Sequence, residues 1–390
     1  MLPSTRQILT DLVQRPSVNP MGRTDLSPDI LHESRVTDYL ERQLQALRVP
    51  YERIMVAPGR DNLVARYTPP TPAPFTVLWE AHQDTVPVDG MVVDPFAAKV
   101  EGERLYGRGA CDVKAGITAM LTAFARLVRE KPAGSAAVIL AFTVDEEHTF
   151  LGIQHLMNSG IKADYAIVAE PTELNIVNTH KGVVRWQIET TGVACHSSRP
   201  ELGVNAVYRM AKVLNGIEQY AEQLRRGRAD PLLGSATLSV GMIHGGVSPN
   251  TVPDHCRIEI DRRLLPGENP AEAVASLDAF LRESVAVPFT TLPMKFACPA
   301  LSASGSETLV AKFGTAINAV TGAHQVMAVP YGTDASTVAL AGIPVIVFGP
   351  GDIAQAHTKD EWVHLPQIDQ AAEVLYRFAC ENDGNSRGVT

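Results

Sequence analysis

Five side chains that can bind metal ions lie just past the ends of separate apolar segments of this chain. They are His82, Asp112, Glu147, Glu170 and His357. Two imidazoles and three carboxylates form a ligand set that a pair of zinc-like divalent ions would accept. One more carboxylate, that of Glu146, stands beside Glu147 and offers a metal-assisted hydrolase its proton carrier. The residue types therefore predict a two-metal hydrolytic centre.

Each of these residues also has a purely structural interpretation. A single Asp before a helix is usually an N-cap, and Asp112 could be only that. A histidine at the end of a strand is more often an ordinary surface or core residue, and two adjacent glutamates are usually solvated. The prediction of a metal centre rests on the conjunction, because all five structural interpretations would have to hold together.

The segments that must position these residues alternate between strand-like and helical patterns. Strand-like apolar runs cover residues 76–81, 136–144, 165–169 and 344–348, and residues 113–130 have a helical stripe. This order predicts an α/β sheet with helices on both faces. Ligands of such sheets bind beyond the carboxyl ends of the strands, so the candidate residues should converge on one rim.

The middle of the chain has a different pattern. Over residues 181–295 the order of alternating and helical segments is β-α-β-β-α-β, which is typical of a ferredoxin-like unit. We therefore predict a smaller domain, residues 181–295, inserted into a larger catalytic domain that is formed by residues 1–180 and 296–390.

Local spacing adds two expectations about the metal centre. Residues i and i+2 of an extended segment point the same way, so Asp84 can accept a hydrogen bond from the far nitrogen of His82 and orient its ring. Glu146 and Glu147 face opposite sides of an extended chain, so one can bind metal while the other faces substrate. A water held between two cations loses its proton near neutral pH, and the free glutamate can pass that proton to a leaving nitrogen. Spacing leaves open which glutamate has which role.

Composition excludes several other classes of protein. The 390 residues include 34 basic and 43 acidic side chains, for a net charge of -9, and no basic stripe that would suit nucleic acid. The five cysteines are scattered without a CxxC pair, so neither a disulfide framework nor a cysteine zinc site is indicated. With no signal peptide visible and no apolar run near the roughly 20 residues of a membrane span, we expect a cytoplasmic protein.

Several motifs together resemble those of one enzyme family. They are Ala81-His-Gln-Asp-Thr-Val-Pro87, Gly107-Arg-Gly-Ala-Cys-Asp112, Asp145-Glu-Glu147, Ala169-Glu-Pro-Thr172, Cys195-His-Ser-Ser-Arg-Pro-Glu201 and Asp261-Arg-Arg-Leu-Leu-Pro-Gly267. In this order they resemble the dinuclear zinc hydrolases of the acetylornithine deacetylase, succinyl-diaminopimelate desuccinylase and aminoacylase family. The resemblance covers essentially the whole chain, and it is specific for the family rather than for any one member.

The resemblance implies how the centre is divided. It implies that His82 and Glu170 hold one zinc ion. Glu147 and His357 would hold the second ion, with Asp112 as the bridge between the two. The same donor types also accept cobalt or manganese.

Further roles follow from the same resemblance. Glu146 would be the general base and acid, and Asp84 would orient His82. The inserted ferredoxin-like domain would be a lid and the interface of a homodimer. From that lid, His196 would polarise the scissile carbonyl in its own or the partner subunit's site.

The resemblance also suggests residues that contact the substrate. Asn250 resembles a substrate-contacting position of the lid, and Arg263 resembles the arginine that grips a substrate carboxylate. Arg262 could do this instead if the strand register differs, because neighbours on a strand face opposite sides. The acyl or side-chain pocket is expected to be lined by Gly332, Thr333 and Asp334.

These expectations lead to one main prediction of function and two alternatives. The main prediction is hydrolysis of an N-acyl amino acid, of acetyl or succinyl type, by a metal-bridged hydroxide with Glu146 as general base and acid. The first alternative is a dipeptidase or carboxypeptidase with the same centre. The second is a binding protein that kept the fold without catalysis, which the complete set of ligands disfavours.

Overall fold

The helices begin and end at residues whose side chains suit those positions. A computed structural model describes residues 3–380. The helices within this range are α1 (Thr5–Val13), α2 (Ser34–Leu47), α3 (Lys114–Glu130), α4 (Leu151–Asn158), α5 (Ala206–Arg226), α6 (Pro270–Ser284), α7 (Glu307–Thr321), α8 (Ala335–Leu340) and α9 (Leu365–Cys380). Asn269 accepts hydrogen bonds from two N–H groups at the start of α6, and Gly322 ends α7 in the left-handed conformation.

The strands are short, and most of them belong to two large sheets. They are β1 (Tyr51–Ala57), β2 (Arg60–Tyr67), β3 (Thr76–His82), β4 (Lys99–Glu101), β5 (Arg104–Tyr106), β6 (Ala137–Thr143), β7 (Tyr165–Val168), β8 (Ile176–His180), β9 (Gly182–Thr191), β10 (Cys195–His196), β11 (Ala229–Asp230), β12 (Gly234–Ser235), β13 (Thr237–Gly245), β14 (Thr251–Val252), β15 (His255–Leu264), β16 (Thr290–Thr291), β17 (Phe296–Cys298), β18 (Val326–Val329), β19 (Val345–Val347) and β20 (Trp362–His364). Short 3₁₀ turns cover Pro28–Ile30, Pro200–Leu202 and Ile353–Gln355.

One compact unit contains the described parts of residues 1–178, 303–327 and 333–390. It is built on a mixed sheet with the strand order β1-β2-β6-β3-β7-β19-β8-β18. Strand β3 pairs in parallel with β6 on one side and with β7 on the other. The carboxyl ends of these three strands therefore lie at the same edge of the sheet.

Both faces of this sheet are covered. On β3, Val77, Trp79 and Ala81 belong to a hydrophobic core that also includes residues of α1, α3 and α9. The alternate residues Leu78 and Glu80 point to the opposite face, and they are buried as well. A strand that is buried on both faces has apolar residues at nearly every position, which is the pattern of the sequence here. The predicted α/β sheet with helices on both faces is confirmed.

The second compact unit contains residues 179–302 and 328–332. Its antiparallel sheet has the order β13-β15-β9-β16, and β17 also pairs with β9. The buried residues Trp186, Ile188, Ile258 and Ile260 share a core with α5 and α6. The chain order β9-α5-β13-β15-α6-β16 confirms the predicted ferredoxin-like arrangement. The role of this unit as a lid and dimer interface stays a prediction.

The structure differs from the predicted elements in places where periodicity is too short to detect. The last strand of the predicted ferredoxin-like order is divided into β16 and β17, which pair with different parts of β9. A small sheet of β4, β5 and β20 was not predicted, because each strand has only three residues. Among the described residues, no helix has both the length and the apolar character to cross a lipid bilayer.

Candidate active site

The candidate metal ligands follow the strands that meet at one edge of the large sheet. His82 is the last residue of β3, and Glu170 comes two residues after the end of β7. Glu147 follows β6 after a short turn, and Asp112 lies two residues before Lys114, the first residue of α3. His357 follows the turn Ile353–Gln355 and adopts a left-handed backbone conformation, with φ of 62°.

These residues form two groups of three that share Asp112. In each group the ligand atoms lie within 4.8 Å of one another. In the first group, Nε2 of His82 is 3.2 Å from Oδ1 of Asp112 and 3.8 Å from Oε1 of Glu170. In the second, Nε2 of His357 is 3.2 Å from Oδ2 of Asp112 and 3.2 Å from Oε2 of Glu147. The two oxygens of Asp112 thus face different groups, as a bridging carboxylate requires.

Two buried ligand atoms support the fit of a cation to this site. Nε2 of His82 and Oδ1 of Asp112 are both buried, and neither makes a hydrogen bond. Leaving such atoms without a partner costs about 1–3 kcal/mol each. A divalent ion between these nitrogen and oxygen atoms would be bound by both of them and would take the place of the missing hydrogen-bond partners. The residues present therefore fit a pair of metal ions.

The electrostatics of the cluster indicate the same need for positive charge. Burial, together with the charges of Asp112 and Glu146, raises the pKa of Glu170 well above its usual value. Burial opposes ionisation of Asp112 as well, but the adjacent imidazoles of His357 and His82 lower the pKa of its carboxyl. His357 is desolvated, yet Asp112 and Glu147 raise its pKa to about 11. Bound dications would hold the carboxylates ionised and both imidazoles neutral.

The two adjacent glutamates have different surroundings. The carboxylate of Glu147 is within 3.3 Å of the His357 ring and belongs to a ligand group. Glu146 belongs to neither group, although its side chain is buried near the same charges. Burial, with the neighbouring carboxylates Glu147 and Asp112, raises the pKa of Glu146 well above its usual value, and the charge of His82 opposes this. The geometry leaves Glu146 free to carry a proton.

Asp84 contacts the centre in a way that differs from the prediction. Nδ1 of His82 is 3.1 Å from the main-chain oxygen of Asp84, whereas the Asp84 carboxylate is 3.6 Å away. That carboxylate instead accepts the N–H groups of Glu146 at 3.1 Å and of Glu147 at 3.2 Å. Asp84 thus holds the His82 ring through its backbone and the two glutamates through its side chain.

Two of the three predicted pocket residues are almost fully buried. Thr333 and Asp334 are 0% and 1% exposed. The hydroxyl of Thr143 donates to Glu80 at 2.5 Å and lies 3.5 Å from the Asp334 carboxyl. Burial raises the pKa of both acids. Gly332 lies in the second unit, where a Cβ would come within 3.2 Å of the sulfur of Cys298. The role of Gly332, Thr333 and Asp334 in lining a pocket stays a prediction.

The second unit brings two of the predicted lid residues together. His196 ends β10, which pairs with β14, and Ser197 donates a hydrogen bond to the main-chain oxygen of Asn250 at 3.0 Å. Nδ1 of the exposed His196 ring is 2.8 Å from the hydroxyl of Ser198. This leaves Nε2 as the ring atom that can face a substrate.

The two adjacent arginines of β15 lie on opposite faces of the sheet. Arg262 is buried and donates to the main-chain oxygen of Ala273 at 2.9 Å and to Glu268 at 2.8 Å. Arg263 is partly exposed and contacts Asp261 at 2.8 Å. The contacts of Arg262 hold it inside the unit, so Arg263 is the accessible one of the two.

Comparison with known proteins decides the family. The family model described as Peptidase family M20/M25/M40 matches residues 78–381. This chain belongs to that family. An acetylornithine deacetylase of Vibrio cholerae serotype O1 is 32% identical over 388 residues, covering 96% of this chain and 98% of that enzyme. The resemblance stated from the motifs is therefore confirmed, and the chain is an M20-family hydrolase.

Solved structures of M20 proteins share the fold. An M20 family metallo-carboxypeptidase from Sulfolobus solfataricus has a TM-score of 0.77 at 21% identity, covering 97% of this chain and 99% of that one. A Bacillus subtilis protein described as a dinuclear metal binding peptidase from the M20 family has a TM-score of 0.68 at 16% identity, with 96% of each chain covered. The catalytic domain and the inserted domain of this M20 chain are thus a known architecture.

Three residues around the M20 centre were missed by the sequence reasoning. Asn19 and Arg60 contact Asp84 or its neighbours, and Glu361 accepts the main-chain N–H groups of Cys111 and Asp112. None of these three residues lies directly after a predicted strand and beside a candidate metal ligand, which is how the other site residues were found. Their only sequence signal is a polar or charged residue type, which is far more often solvated.

Proposed function

We propose that this chain hydrolyses the amide bond of an N-acyl amino acid of acetyl or succinyl type, releasing a small carboxylic acid and a free amine. The observation that carries the proposal is the pair of ligand groups sharing Asp112, with the unliganded carboxylate of Glu146 beside them. The acetylornithine deacetylase relative, similar over nearly its full length, supports an acyl amino acid as the substrate class.

Two divalent ions, most simply zinc, are part of this proposal. His82, Asp112 and Glu170 would hold one ion. Asp112, Glu147 and His357 would hold the other. When bound, the ions supply the Lewis acidity that makes a water acidic near neutral pH and polarises the scissile carbonyl. Cobalt and manganese accept the same donors, and their availability would decide the native metal.

Glu146 would carry the proton through the reaction. Its carboxylate takes a proton from the attacking water and then gives it to the departing nitrogen, which must leave as a neutral amine. Its main-chain N–H is held on the Asp84 carboxylate at 3.1 Å, which limits the directions in which the side chain can point. Its low exposure keeps bulk water from exchanging that proton.

Residues of the second unit would complete the site. His196 would donate a hydrogen bond to the oxygen that becomes negative in the transition state. Asn250, whose backbone is tied to the segment of His196, would contact the substrate. Arg263 would bind the substrate carboxylate with its partly exposed fork.

The second unit would act as lid and dimer interface of a cytoplasmic homodimer. Strand β13 is an edge of its sheet and is mostly exposed, with Met242 and Ile243 among its exposed residues, and a partner would cover this edge. A dipeptidase or carboxypeptidase is the second candidate, because Arg263 would serve the carboxylate of a peptide equally well. Gly332, Thr333 and their neighbours would then contact a side chain instead of an acyl group.

Rates on three substrate series decide between the candidates. Zinc-loaded protein is assayed with N-acetyl amino acids, N-succinyl amino acids and dipeptides. We expect turnover of an acylated series, loss of activity with a chelator, and recovery on adding zinc. Turnover confined to dipeptides would overturn the main proposal in favour of the second.

The base is tested with Glu146→Gln and a matched control, Glu283→Gln, on the exposed side of α6. We expect the first variant to lose about 10²- to 10⁴-fold in kcat, as general base catalysis contributes. Its metal content should stay near that of wild type, because Glu146 belongs to neither ligand group. Full activity in Glu146→Gln would refute this role.

A further inference from the structure

Arg60, the first residue of β2, is a buried cation among three buried carboxylates. Its side chain is 10% exposed, and those of Glu33, Asp84 and Asp145 are 0%, 0% and 3% exposed. Nε of Arg60 donates to Glu33 at 2.9 Å, and Nη1 donates to Oδ1 of Asp145 at 2.6 Å. Nη2 lies 4.0 Å from Oδ2 of Asp84. The guanidinium of Arg60 thus forms ion pairs with three buried carboxylates.

Asn19 joins two of these acids directly. Its buried Nδ2 donates to Oδ2 of Asp84 at 2.8 Å and to Oδ1 of Asp145 at 2.9 Å. Because Arg60 donates to the same oxygen of Asp145, that carboxylate is held from two sides. A displacement of Asp145 therefore also disturbs Asp84.

This network contacts the reacting groups through the backbone. Asp145 has φ of 68°, a left-handed conformation that Asp tolerates when its side chain is hydrogen-bonded locally. This turn directs the N–H groups of Glu146 and Glu147 at the Asp84 carboxylate. The orientation of both glutamates thus depends on Asp145 and Asp84 keeping their places.

We propose that Arg60, clamped by Glu33, is a positioning residue of the hydrolytic site: it fixes Asp145 and Asp84 and thereby aims Glu146 and Glu147. The inference rests on the proposed function, since it assigns Arg60 a part in the same reaction. Arg60 belongs to neither ligand group and acts through Asp145 and Asp84.

The shape of guanidinium explains why arginine is needed here. Its planar fork presents donors in several fixed directions, so Glu33 and Asp145 are bound at once on different edges. A lysine ammonium is a single point charge and would keep one of these contacts. Arg60→Lys therefore retains the buried charge and removes the geometry.

The chain offers a matched control on the neighbouring strand. Arg53 in β1 also contacts three acids, namely Asp38, Glu41 and Asp61. Its side chain is 31% exposed, and its ion pairs are with these three acids rather than with Asp84 or Asp145. Arg53→Lys thus makes the same chemical change in a three-acid cluster outside the site.

The experiment compares Arg60→Lys with Arg53→Lys in the zinc-loaded protein. For Arg60→Lys we expect kcat to fall by about 10- to 100-fold, as is usual when a residue supporting a metal site is changed. KM should stay within about twofold of wild type, because the turn acts on chemistry rather than on binding. Arg53→Lys should keep both constants.

Hydrogen exchange gives a second readout that does not require turnover. In the metal-free protein, the peptide covering residues 144–150 should exchange faster in Arg60→Lys than in wild type and in Arg53→Lys, because the N–H groups of Glu146 and Glu147 lose their fixed acceptor. Unchanged exchange together with unchanged kcat would overturn the inference while leaving the proposed function intact.

Two further outcomes are separable. If wild type hydrolyses none of the substrates, the proposed function fails, and exchange still decides whether Arg60 holds the turn. If Arg60→Lys does not fold, the double variant Arg60→Met with Glu33→Gln removes the cation and one carboxylate together, which buried clusters tolerate better than an unpaired charge. Wild-type kcat and exchange in that folded variant would also overturn the inference.

Discussion

Replacing Glu361 by alanine should destabilise the larger unit and loosen the loop that carries Asp112. Glu361 is 0% exposed, and its Oε2 accepts a hydrogen bond from Nη1 of Arg108 at 2.6 Å. Its Oε1 accepts the N–H of Cys111 at 2.9 Å and the N–H of Asp112 at 3.1 Å. One carboxylate thus pairs a buried cation and satisfies two buried amides next to the bridging ligand.

The size of the effect follows from these contacts. Removing one partner of a buried ion pair costs about 3–5 kcal/mol, because the other charge stays buried without compensation. Each amide left without an acceptor costs about 1–3 kcal/mol when water cannot reach it. These costs overlap, so we expect about 4–5 kcal/mol for Glu361→Ala. Glu361→Gln keeps one acceptor oxygen but turns an NH₂ group toward Arg108, and we expect an intermediate loss of about 2–3 kcal/mol.

Urea denaturation of the chelated protein, followed by far-UV circular dichroism, measures this order. The control is Glu103→Ala, which removes an exposed carboxylate from His364 on the neighbouring small sheet and should cost under about 0.5 kcal/mol. Adding Arg108→Met to Glu361→Gln should recover part of the loss, because no charge is then left unpaired. A loss below about 1 kcal/mol in Glu361→Ala would refute the reasoning.

Three further predictions concern the second unit. Arg262→Met should destabilise the protein by about 3 kcal/mol, because it leaves Glu268 without its cation, with KM unchanged in the folded fraction. Arg263→Met should instead keep the urea midpoint and raise KM by about 10- to 100-fold, since a charged hydrogen bond contributes about 1.5–3 kcal/mol. A stability loss in Arg263→Met together with a raised KM in Arg262→Met would show that Arg262 is the residue that binds substrate. Burial lowers the pKa of His180 to about 4, so folding favours the neutral form of this ring. The stability that depends on the neutral ring is fully present above pH 6.5 and is lost as pH falls through 4. This pH-dependent part of the stability is about 3 kcal/mol. As pH is lowered from 6.5 to 4, the urea midpoint should therefore fall less steeply in His180→Gln than in wild type. Equal slopes of midpoint against pH in the two proteins would contradict the lowered pKa.

Much of the architecture was readable from local patterns. Apolar runs at 137–143 and 165–168 are buried on both faces, and such runs are detectable because nearly every residue must be apolar. The ferredoxin-like order was readable from alternating segments separated by long helices. The three-residue strands β4, β5 and β20 were not, since periodicity needs more residues than they contain.

The sequence by itself determined the types of the candidate ligands and the edge of the sheet at which they lie. This was possible because His82 and the acids after β6 and β7 follow parallel strands, whose carboxyl ends meet for topological reasons. Spacing left open which glutamate binds metal; the resemblance implied that it is Glu147, and the tertiary structure places the carboxylate of Glu147 within 3.3 Å of the His357 ring. Only the tertiary structure decided that Arg262 is buried while Arg263 is accessible. The reason is that such contacts join distant parts of the chain, as Arg60 with Asp145 across 85 positions and Arg108 with Glu361 across 253. No local spacing encodes which of two adjacent side chains meets a partner that far away.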